Sequence, residues 1–133
     1  MNFKETNFNL KIILVEPSGP LNVGSIARLC SNFKVDQLRL VSPKCDIYSL
    51  ETKKMALKGI KFINECNIYE SLIDSISDCD LVLATCGRID YQKEFEQDSL
   101  ENVSKWIRNF KKVKNLAILF GREDRGLTNR ELL

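Results

Sequence analysis

The sequence predicts a single α/β domain, built on a mostly parallel sheet with helices on both faces. Short apolar runs alternate with amphipathic stretches along the chain, which is the order of strands and helices in a parallel sheet. The apolar runs are continuous rather than alternating, as in strands that are buried on both faces. The length of 133 residues is that of one domain, so residues 1–133 are expected to form it.

Five strands are predicted from runs of apolar and β-branched residues. Four of these runs read KIILV, QLRLVS, DLVLATC and LAILF, and a shorter candidate reads KFI. In chain order the predicted strands occupy residues 11–15, 37–42, 61–63, 80–86 and 116–120.

The helices between these strands are predicted from their ends and their apolar faces. Asn22 is a good N-cap for the first helix, and Gly59 is expected to close the second. Asp98 and Glu101 form a capping box that opens the fourth. The third helix is expected to bury Leu72, Ile73 and Ile76 on one face. In chain order the predicted helices occupy residues 22–33, 49–59, 69–77 and 98–110.

The last residues carry a helix start signal that has little chain to follow it. Thr128 and Glu131 make a second capping box, and the sequence stops at Leu133. One turn of helix is unfavourable by itself because nucleation costs more than it returns. Two interpretations remain: a final helix that is interrupted here, or a short natural turn docked on the sheet.

Composition excludes several classes of chemistry. The chain has no histidine, which removes Ser-His and Cys-His nucleophilic catalysis and histidine metal sites. Its five cysteines are widely spaced and form no CxxC pair, so zinc-ribbon and thioredoxin-like sites are not predicted and the thiols are expected to be buried. No metal site is predicted.

Charge and hydropathy limit the cellular context. The formal net charge of +2 and the pI near 8.3 permit nucleic-acid binding without requiring it. No apolar run approaches the roughly 20 residues of a membrane span, and the first ten residues lack the pattern of a signal peptide. We therefore expect a cytoplasmic protein with no membrane partner.

The first candidate site is the loop and helix start PSGPLNVGSIAR, residues 17–28, directly after the first strand. Asn22 is expected to cap the helix and leave backbone N–H groups pointing outward. Gly24 leaves room for another backbone or a phosphate, and Arg28 lies one helical turn beyond it. This combination suits an anionic group such as phosphate. The alternative is a capped surface helix with a solvated arginine.

The second candidate site is the loop GREDRGL, residues 121–127, after the last strand. Because ligands of open parallel sheets bind at the carboxyl ends of the strands, its backbone groups are placed to grip a ligand, with Glu123 steering a positive partner. The alternative is a solvated, highly charged turn. Neither GxGxxG nor GxxxxGK[ST] is present, which argues against an unrelated nucleotide-binding α/β enzyme.

Together the two loops resemble the SpoU branch of the SPOUT RNA methyltransferases. One family motif has Asn, Gly and Arg spaced as Asn22, Gly24 and Arg28, and another reads FGxExxGL, matched here by FGREDRGL at 120–127. The segments LRLVSPKCD and LVLATCGR also look like the family, and the similarity is strongest to its TrmJ-type tRNA enzymes. It covers roughly residues 10 to 133.

The resemblance implies a fold, a reaction and a set of site residues. The fold would be a parallel α/β sheet with a C-terminal trefoil knot, and the reaction methyl transfer from S-adenosylmethionine to a ribose 2′-hydroxyl of RNA, in the tRNA anticodon loop. It implies a homodimer with its sites near the subunit interface. Arg28 would be catalytic and would bind substrate together with Asn22 and Gly24. Thr85, Gly121 and Glu123 would border the methyl donor or the dimer interface.

Two departures from the family pattern qualify these expectations. A third motif, a Ser-Leu-Asn segment that opens the last helix and forms part of the knot and of the donor pocket, has no counterpart, so an incomplete knot is expected. Lys34 stands where related sequences often have glycine. A non-catalytic module of the same fold, binding RNA or a partner, is therefore the alternative function.

Arg28 is an awkward general base because a guanidinium stays protonated in proteins. It is better suited to bind the adjacent RNA phosphate and to stabilise developing charge on the ribose oxygen. Other basic side chains are candidates for contact with RNA. These are Arg39, Arg88, Arg122, Arg125, Lys111, Lys112 and Lys114.

Overall fold

The computed structural model describes residues 8–85, 102, 113–123 and 126–132. The strands are β1 (Asn9–Val15), β2 (Gln37–Val41), β3 (Asn67–Tyr69), β4 (Leu81–Ala84) and β5 (Asn115–Phe120). The helices are α1 (Pro20–Asn32), α2 (Leu50–Ala56), α3 (Ile60–Glu65), α4 (Leu72–Ile76) and α5 (Asn129–Leu132), with a 3-10 turn at Leu57–Gly59.

All strand pairs in the sheet are parallel, which confirms the predicted fold class. The strand order is β3-β2-β1-β5-β4, with β1 in the centre. Leu14 of β1 pairs with Leu40 of β2 on one side and with Phe120 of β5 on the other. The strands therefore end together at one edge of the sheet, called here the carboxyl edge, and the loops that follow β1, β4 and β5 leave the sheet there.

The sheet is covered on both faces because successive residues of β1 point to opposite sides. On one face Ile12 and Leu14 pack in a cluster with Val23 and Ala27 of α1. On the other face Ile13 belongs to a second cluster, which includes α4 and the buried Leu127. This division explains why the strands are continuous apolar runs.

Helix α1 begins two residues earlier than predicted. Gly19 is the N-cap and makes no side-chain cap hydrogen bond, while Pro20 occupies the first helical position. Proline is favoured there because its fixed φ suits a helix and its missing N–H needs no partner. The prediction of Asn22 as the N-cap is wrong: Asn22 lies in the first turn, and its side chain has another partner, described below.

The chain around Gly59 also differs from its prediction. Gly59 does not close a long helix, because α2 ends at Ala56 and the 3-10 turn leads directly into α3. Residues 61–63 are helical rather than extended, since a helix buries Phe62 and Ile63 against the sheet. The edge strand lies further along, at β3, which pairs with β2.

Helix α4 confirms the predicted helix at 69–77 in shortened form. Ser71 caps it by accepting a hydrogen bond from the backbone of Asp74. Leu72 and Ile76 pack against the sheet, but Ile73 is 77% exposed. The prediction that Ile73 shares their buried face is wrong, because the adjacent position is rotated by about 100° around a helix.

Several remaining predictions have different outcomes. The capping box at the end of the chain is confirmed: the Glu131 carboxylate accepts from Thr128 N at 2.7 Å, and Thr128 Oγ1 accepts from Glu131 N at 3.2 Å. The predicted helix at 98–110 lies outside the described residues, apart from the helical Asn102. Lys34 is exposed and adopts a φ of 55°, the left-handed region that favours the glycine of related sequences.

The expectation of buried thiols is confirmed for Cys30 alone among the cysteines that the structure describes. Cys30 is buried, and burial raises the pKa of its thiol to about 12. Cys45, Cys66 and Cys79 are half-buried, and burial also raises their pKa values. Cys86 lies outside the described residues. Across the described ranges, none of the helices has the length and apolar character needed to span a membrane.

Candidate functional site

The two predicted loops meet at the carboxyl edge of the sheet through the carboxylate of Glu123. This carboxylate accepts hydrogen bonds from the backbone N–H groups of Ser18 and Gly19, each at 3.2 Å. It also accepts from the hydroxyl of Ser18 at 3.0 Å and from the side-chain amide of Asn22 at 3.2 Å. The loop after β5 is therefore bonded to the loop after β1, as expected for loops that leave neighbouring parallel strands.

Glu123 occupies the N-terminus of α1, where an external anion was expected. The N-terminus of a helix attracts negative charge because its first N–H groups lack helical partners. Burial alone would raise the pKa of Glu123, but the hydrogen bonds from its own backbone, Ser18 and Gly19 outweigh this and lower it. The expectation that N–H groups near Asn22 point outward is wrong for Ser18 and Gly19, whose donors already hold an internal carboxylate.

Arg122 forms a second link at the same edge. Its guanidinium pairs with Glu16, directly after β1, and with Glu131 of α5 at 2.7 Å. It also donates to the backbone oxygen of Gly126 at 3.3 Å. The Arg122 side chain is only 12% exposed, so it ties the loop, β1 and α5 together and is not available to RNA.

The carboxylates around Arg122 are held in their charged form. The hydrogen bond from Arg122 is the largest influence on Glu16 and lowers its pKa. For Glu131, burial opposes ionisation, but the bonds from Arg122 and Thr128 prevail and lower the pKa. Glu16 also pairs with Lys44 at 3.5 Å. Sequence reasoning missed Glu16 and Ser18; the available signal was their position directly after a strand that neighbours β5.

The predicted cofactor residues Thr85 and Gly121 lie at the ends of β4 and β5. Both the backbone N–H and the hydroxyl of Thr85 donate to the carbonyl of Leu119 at 3.0 Å, so this exposed residue continues the sheet pairing. A Cβ on Gly121 would overlap the backbone of Gly126 and Leu127, whereas a Cβ on Gly126 would meet no described residue within 4 Å. The loop is thus closed on its β5 side and open on the side of Gly126.

Gly24 and Arg28 have different surroundings on α1. Gly24 is buried, and a Cβ there would lie 2.6 Å from the carbonyl oxygen of Thr52 in α2. The room that Gly24 leaves is therefore taken by the backbone of α2. Arg28 is exposed about 9 Å further along α1 than Asn22, given the rise of a helix. Among the described residues it has no hydrogen bond or ion pair with the loop at 121–127.

Arg39 is removed from the candidates for RNA contact. Its side chain is 5% exposed and forms a two-pronged pair with Asp78, each contact being 2.7 Å. It also donates to the backbone oxygen of Ser75 at 2.6 Å, which ties α4 to β2. Lys114 is exposed. The other candidates lie outside the described residues, namely Arg88, Arg125, Lys111 and Lys112.

A cavity of about 300 Å³ lies at the opposite, amino edge of the sheet. Its lining includes Lys11, Asp36 and Glu65, and it contains none of the predicted site residues. The Lys11 amine donates to the side chain of Asn115 at 3.2 Å, so the cationic group in this cavity is already engaged in the sheet. The loops at the carboxyl edge remain the candidate site.

Known proteins resemble this chain in sequence and in fold. A tRNA (cytidine-2′-O-)-methyltransferase TrmJ from Sulfolobus acidocaldarius is 36% identical over 124 residues, covering 92% of this chain and 51% of that protein. A probable methylase family protein from Haemophilus influenzae has a solved structure that matches 96% of this chain and 52% of its own, with a TM-score of 0.76 and 29% identity.

A more distant structure shares the fold. The SpoU methyltransferase AviRb from Streptomyces viridochromogenes, solved in complex with the cofactor AdoMet, is 17% identical, with a TM-score of 0.58. It matches 95% of this chain and 45% of its own. The present chain spans about half the length of the relatives that it matches most fully.

The match to a protein family extends over nearly the whole chain. The description of the SpoU rRNA Methylase family matches residues 9–133, which include both motif loops, every strand of the sheet and the bond between Glu123 and the start of α1. This chain belongs to the SpoU rRNA Methylase family.

Proposed function

We propose that this protein transfers a methyl group from S-adenosylmethionine to a ribose 2′-hydroxyl of RNA, with tRNA and its anticodon loop as the substrate. Family membership supports methyl transfer, and the activity for which the Sulfolobus relative is named supports a tRNA ribose as acceptor. The observation that carries the proposal is the bond network of Glu123, which joins the two motif loops at the sheet edge where such folds bind ligands.

Arg28 is the catalytic residue of this proposal. In the reaction the bond between the methyl carbon and sulfur breaks, a bond to the ribose oxygen forms, and the hydroxyl loses its proton. Arg28 stays protonated, so it binds the adjacent phosphate and stabilises the developing charge on oxygen, while phosphate or water accepts the proton. Its exposure on α1 leaves the guanidinium open to an incoming nucleotide.

Asn22 and Gly24 support Arg28 rather than contact the nucleotide themselves. Asn22 holds the first turn of α1 to Glu123, and Gly24 lets α1 lie directly on α2. Both therefore set the position of the helix that carries Arg28. Their contribution to the substrate site is therefore indirect and acts through the position of α1.

The methyl donor fits on the open side of the loop after β5. S-adenosylmethionine supplies an electrophilic methyl group on a sulfonium. Thr85, Gly121 and the loop at 121–127 would form one wall for it, since Thr85 is exposed and the side of Gly126 is open. Glu123 contributes by fixing this loop against α1.

A second copy of the chain would complete the site. Arg28 is exposed and has no described bond to the loop at 121–127, so a homodimer that brings α1 of one copy to this loop of its partner supplies the missing contact. Residues 1–133 would act as one methyltransferase domain in the cytoplasm, where tRNA is found.

The proposal is tested by replacing Arg28 in the protein. We expect Arg28→Ala to lower the rate of methyl transfer to tRNA by about 10²–10³-fold, because a preorganised donor of this kind is worth on the order of 3–4 kcal/mol. The thermal midpoint of unfolding should stay within about 1 °C of the wild type, since Arg28 is exposed. Transfer of radioactive methyl groups into tRNA measures the rate.

Two controls make the result specific. Lys34→Gln removes an exposed positive charge just beyond the C-terminal end of α1 and should leave the rate unchanged. A DNA of the same sequence lacks the 2′-hydroxyl and should accept no methyl groups. Wild-type turnover by Arg28→Ala would reject the assignment of Arg28. In titration calorimetry, binding of RNA without binding of S-adenosylmethionine would favour the non-catalytic module.

A further inference from the structure

A basic segment at residues 53–61 stands out from the charge of the chain. It reads KKMALKGIK, with four lysines and no acidic residue in nine positions. The formal net charge of the chain is only +2, so the remaining sequence is net acidic. A second run, KWIRNFKKVK at 105–114, is as basic but lies mostly outside the described residues. The basic segment at 53–61 forms the end of α2, the 3-10 turn and the start of α3.

All four lysines of the basic segment are exposed. They are Lys53, Lys54, Lys58 and Lys61. None forms an ion pair with another residue that the structure describes, although Glu51 and Glu65 lie at the two ends of the segment. By contrast, Arg39 and Arg122 are buried in ion pairs and Lys44 is paired with Glu16. Lys61 lies over the ring of Phe62, 5.4 Å from its centroid, so Lys53, Lys54 and Lys58 present the charges that no described residue pairs with.

The basic segment lies beside Arg28. A Cβ on Gly59 would come within 2.6 Å of the backbone nitrogen of Arg28 and would overlap the carbonyl of Ala27, so the 3-10 turn touches α1 at this point. Lys58 precedes Gly59, which places its Cα within about 10 Å of that of Arg28 by backbone dimensions. Lys58 and Arg28 are therefore close enough to contact one stretch of a polyanion.

We propose that the basic segment is an RNA-backbone surface that continues from Arg28 across the outer side of α2 and α3. Ammonium groups bind phosphates as flexible point charges and carry no base preference, so this surface would position the RNA rather than choose the nucleotide. The inference rests on the proposed function, since it assigns the contacts of the same RNA substrate. It also supplies the positive surface that the buried Arg39 and Arg122 do not.

The test compares two charge-matched double variants in binding an unmodified tRNA transcript. K54Q/K58Q removes two charges from the basic segment, and K34Q/R130Q removes two exposed charges on other elements, after α1 and in α5. Fluorescence anisotropy with labelled tRNA at several salt concentrations gives the affinity and its salt dependence. All four substitutions are exposed, and a thermal melt of each variant checks that it is folded.

We expect K54Q/K58Q to weaken tRNA binding on the order of tenfold at low salt and to reduce the slope of log K against log salt by about two, because each lost phosphate contact releases about one fewer counterion. K34Q/R130Q should bind like the wild type. Equal binding by the two variants, or equal losses in both, would overturn the inference, and so would the absence of tRNA binding by the wild type.

Failure of this inference and failure of the proposed function give different results. Methyl transfer to tRNA by K54Q/K58Q at saturating RNA, with unchanged affinity, would reject the basic segment and keep the enzyme. A tenfold loss of affinity in a protein that transfers no methyl groups would keep the basic segment and reject the enzyme. If K54Q/K58Q loses the same factor of affinity for several tRNA sequences, the result supports contact with the RNA backbone.

Discussion

At the scale of single residues, the carboxylate of Glu123 holds the backbone that enters α1, by accepting from Ser18 and the N-cap Gly19. Gly19 has no side chain to satisfy the first N–H groups of the helix, and Asn22 lies too far into the first turn to act as the cap. Glu123 accepts from Ser18, Gly19 and Asn22, more than 100 positions away in sequence. One side chain therefore fixes the start of α1 and joins the two motif loops.

Replacing Glu123 should weaken both functions of its carboxylate. We expect Glu123→Gln to lower the free energy of unfolding by about 1 kcal/mol, the usual value of a helix cap. Because the folded pKa of Glu123 is lowered, its contribution is complete above about pH 4.5 and is lost as the pH falls through the folded pKa. Urea unfolding at pH 7 and pH 4 measures both effects.

Glu65→Gln is the matched control for this experiment. Glu65 is exposed at the end of α3, and its replacement should change the free energy of unfolding by less than about 0.5 kcal/mol. An equal loss in the two variants at pH 7 would contradict the role given to Glu123.

At the scale of secondary structure elements, Gly24 and Gly59 are two contact points between α1 and the segment that follows β2. Neither position leaves room for a Cβ, because the backbone of the partner segment lies against it. The helix that carries Arg28 is thereby held directly on α2 and the 3-10 turn. The basic segment comes next to Arg28 for the same reason.

A substitution at Gly24 separates packing from substrate binding. We expect Gly24→Ala to lower the free energy of unfolding by about 1–3 kcal/mol, since the new Cβ would lie 2.6 Å from a backbone oxygen that cannot move alone. Ser25→Ala, on the next position of α1, should be neutral or slightly stabilising. Unfolding in urea measures both variants. Loss of tRNA affinity with unchanged stability would assign Gly24 to the substrate instead.

At the scale of the whole molecule, carboxylates with lowered pKa values connect distant parts of the chain. Glu16 and Glu131 both pair with Arg122, and Asp78, just after α4, pairs with Arg39 of β2. The hydrogen bonds from Arg39 hold the pKa of Asp78 well below its usual range. Protonation of any of these carboxylates removes the negative charge that stabilises its link.

The fold should therefore be sensitive to acid. Since the folded pKa values lie below the unfolded ones, the stabilisation is complete above about pH 4.5 and is lost as the pH falls through the folded values. We expect the free energy of unfolding to be nearly constant from pH 7 to pH 5 and to fall steeply below about pH 4. Urea titrations monitored by circular dichroism measure the profile.

Asp78→Asn should flatten the acid limb of this profile and lower stability at neutral pH by about 1–3 kcal/mol, because the buried Arg39 loses its charged partner. Asp74→Asn is the control: its exposed carboxylate forms no ion pair with the described residues, so the wild-type slope should remain. A flattened slope in both variants would show that Asp78 has no special role.

The sequence by itself determined the elements whose signals are local. Continuous apolar runs predicted four of the five strands, the capping box predicted the turn after Thr128, and two spaced motifs predicted the family. Apolar patterning and helix caps act over a few residues, so they can be recognised without the fold.

Only the tertiary structure decided which partners the polar residues take. It assigned Glu123 to the start of α1, Arg39 and Arg122 to ion pairs that leave their guanidinium groups little exposed, and residues 61–63 to a helix rather than a strand. These outcomes depend on contacts between residues far apart in sequence, where a partner is chosen by the strand order and by the space left at Gly24 and Gly59. No local pattern of residues encodes those distances.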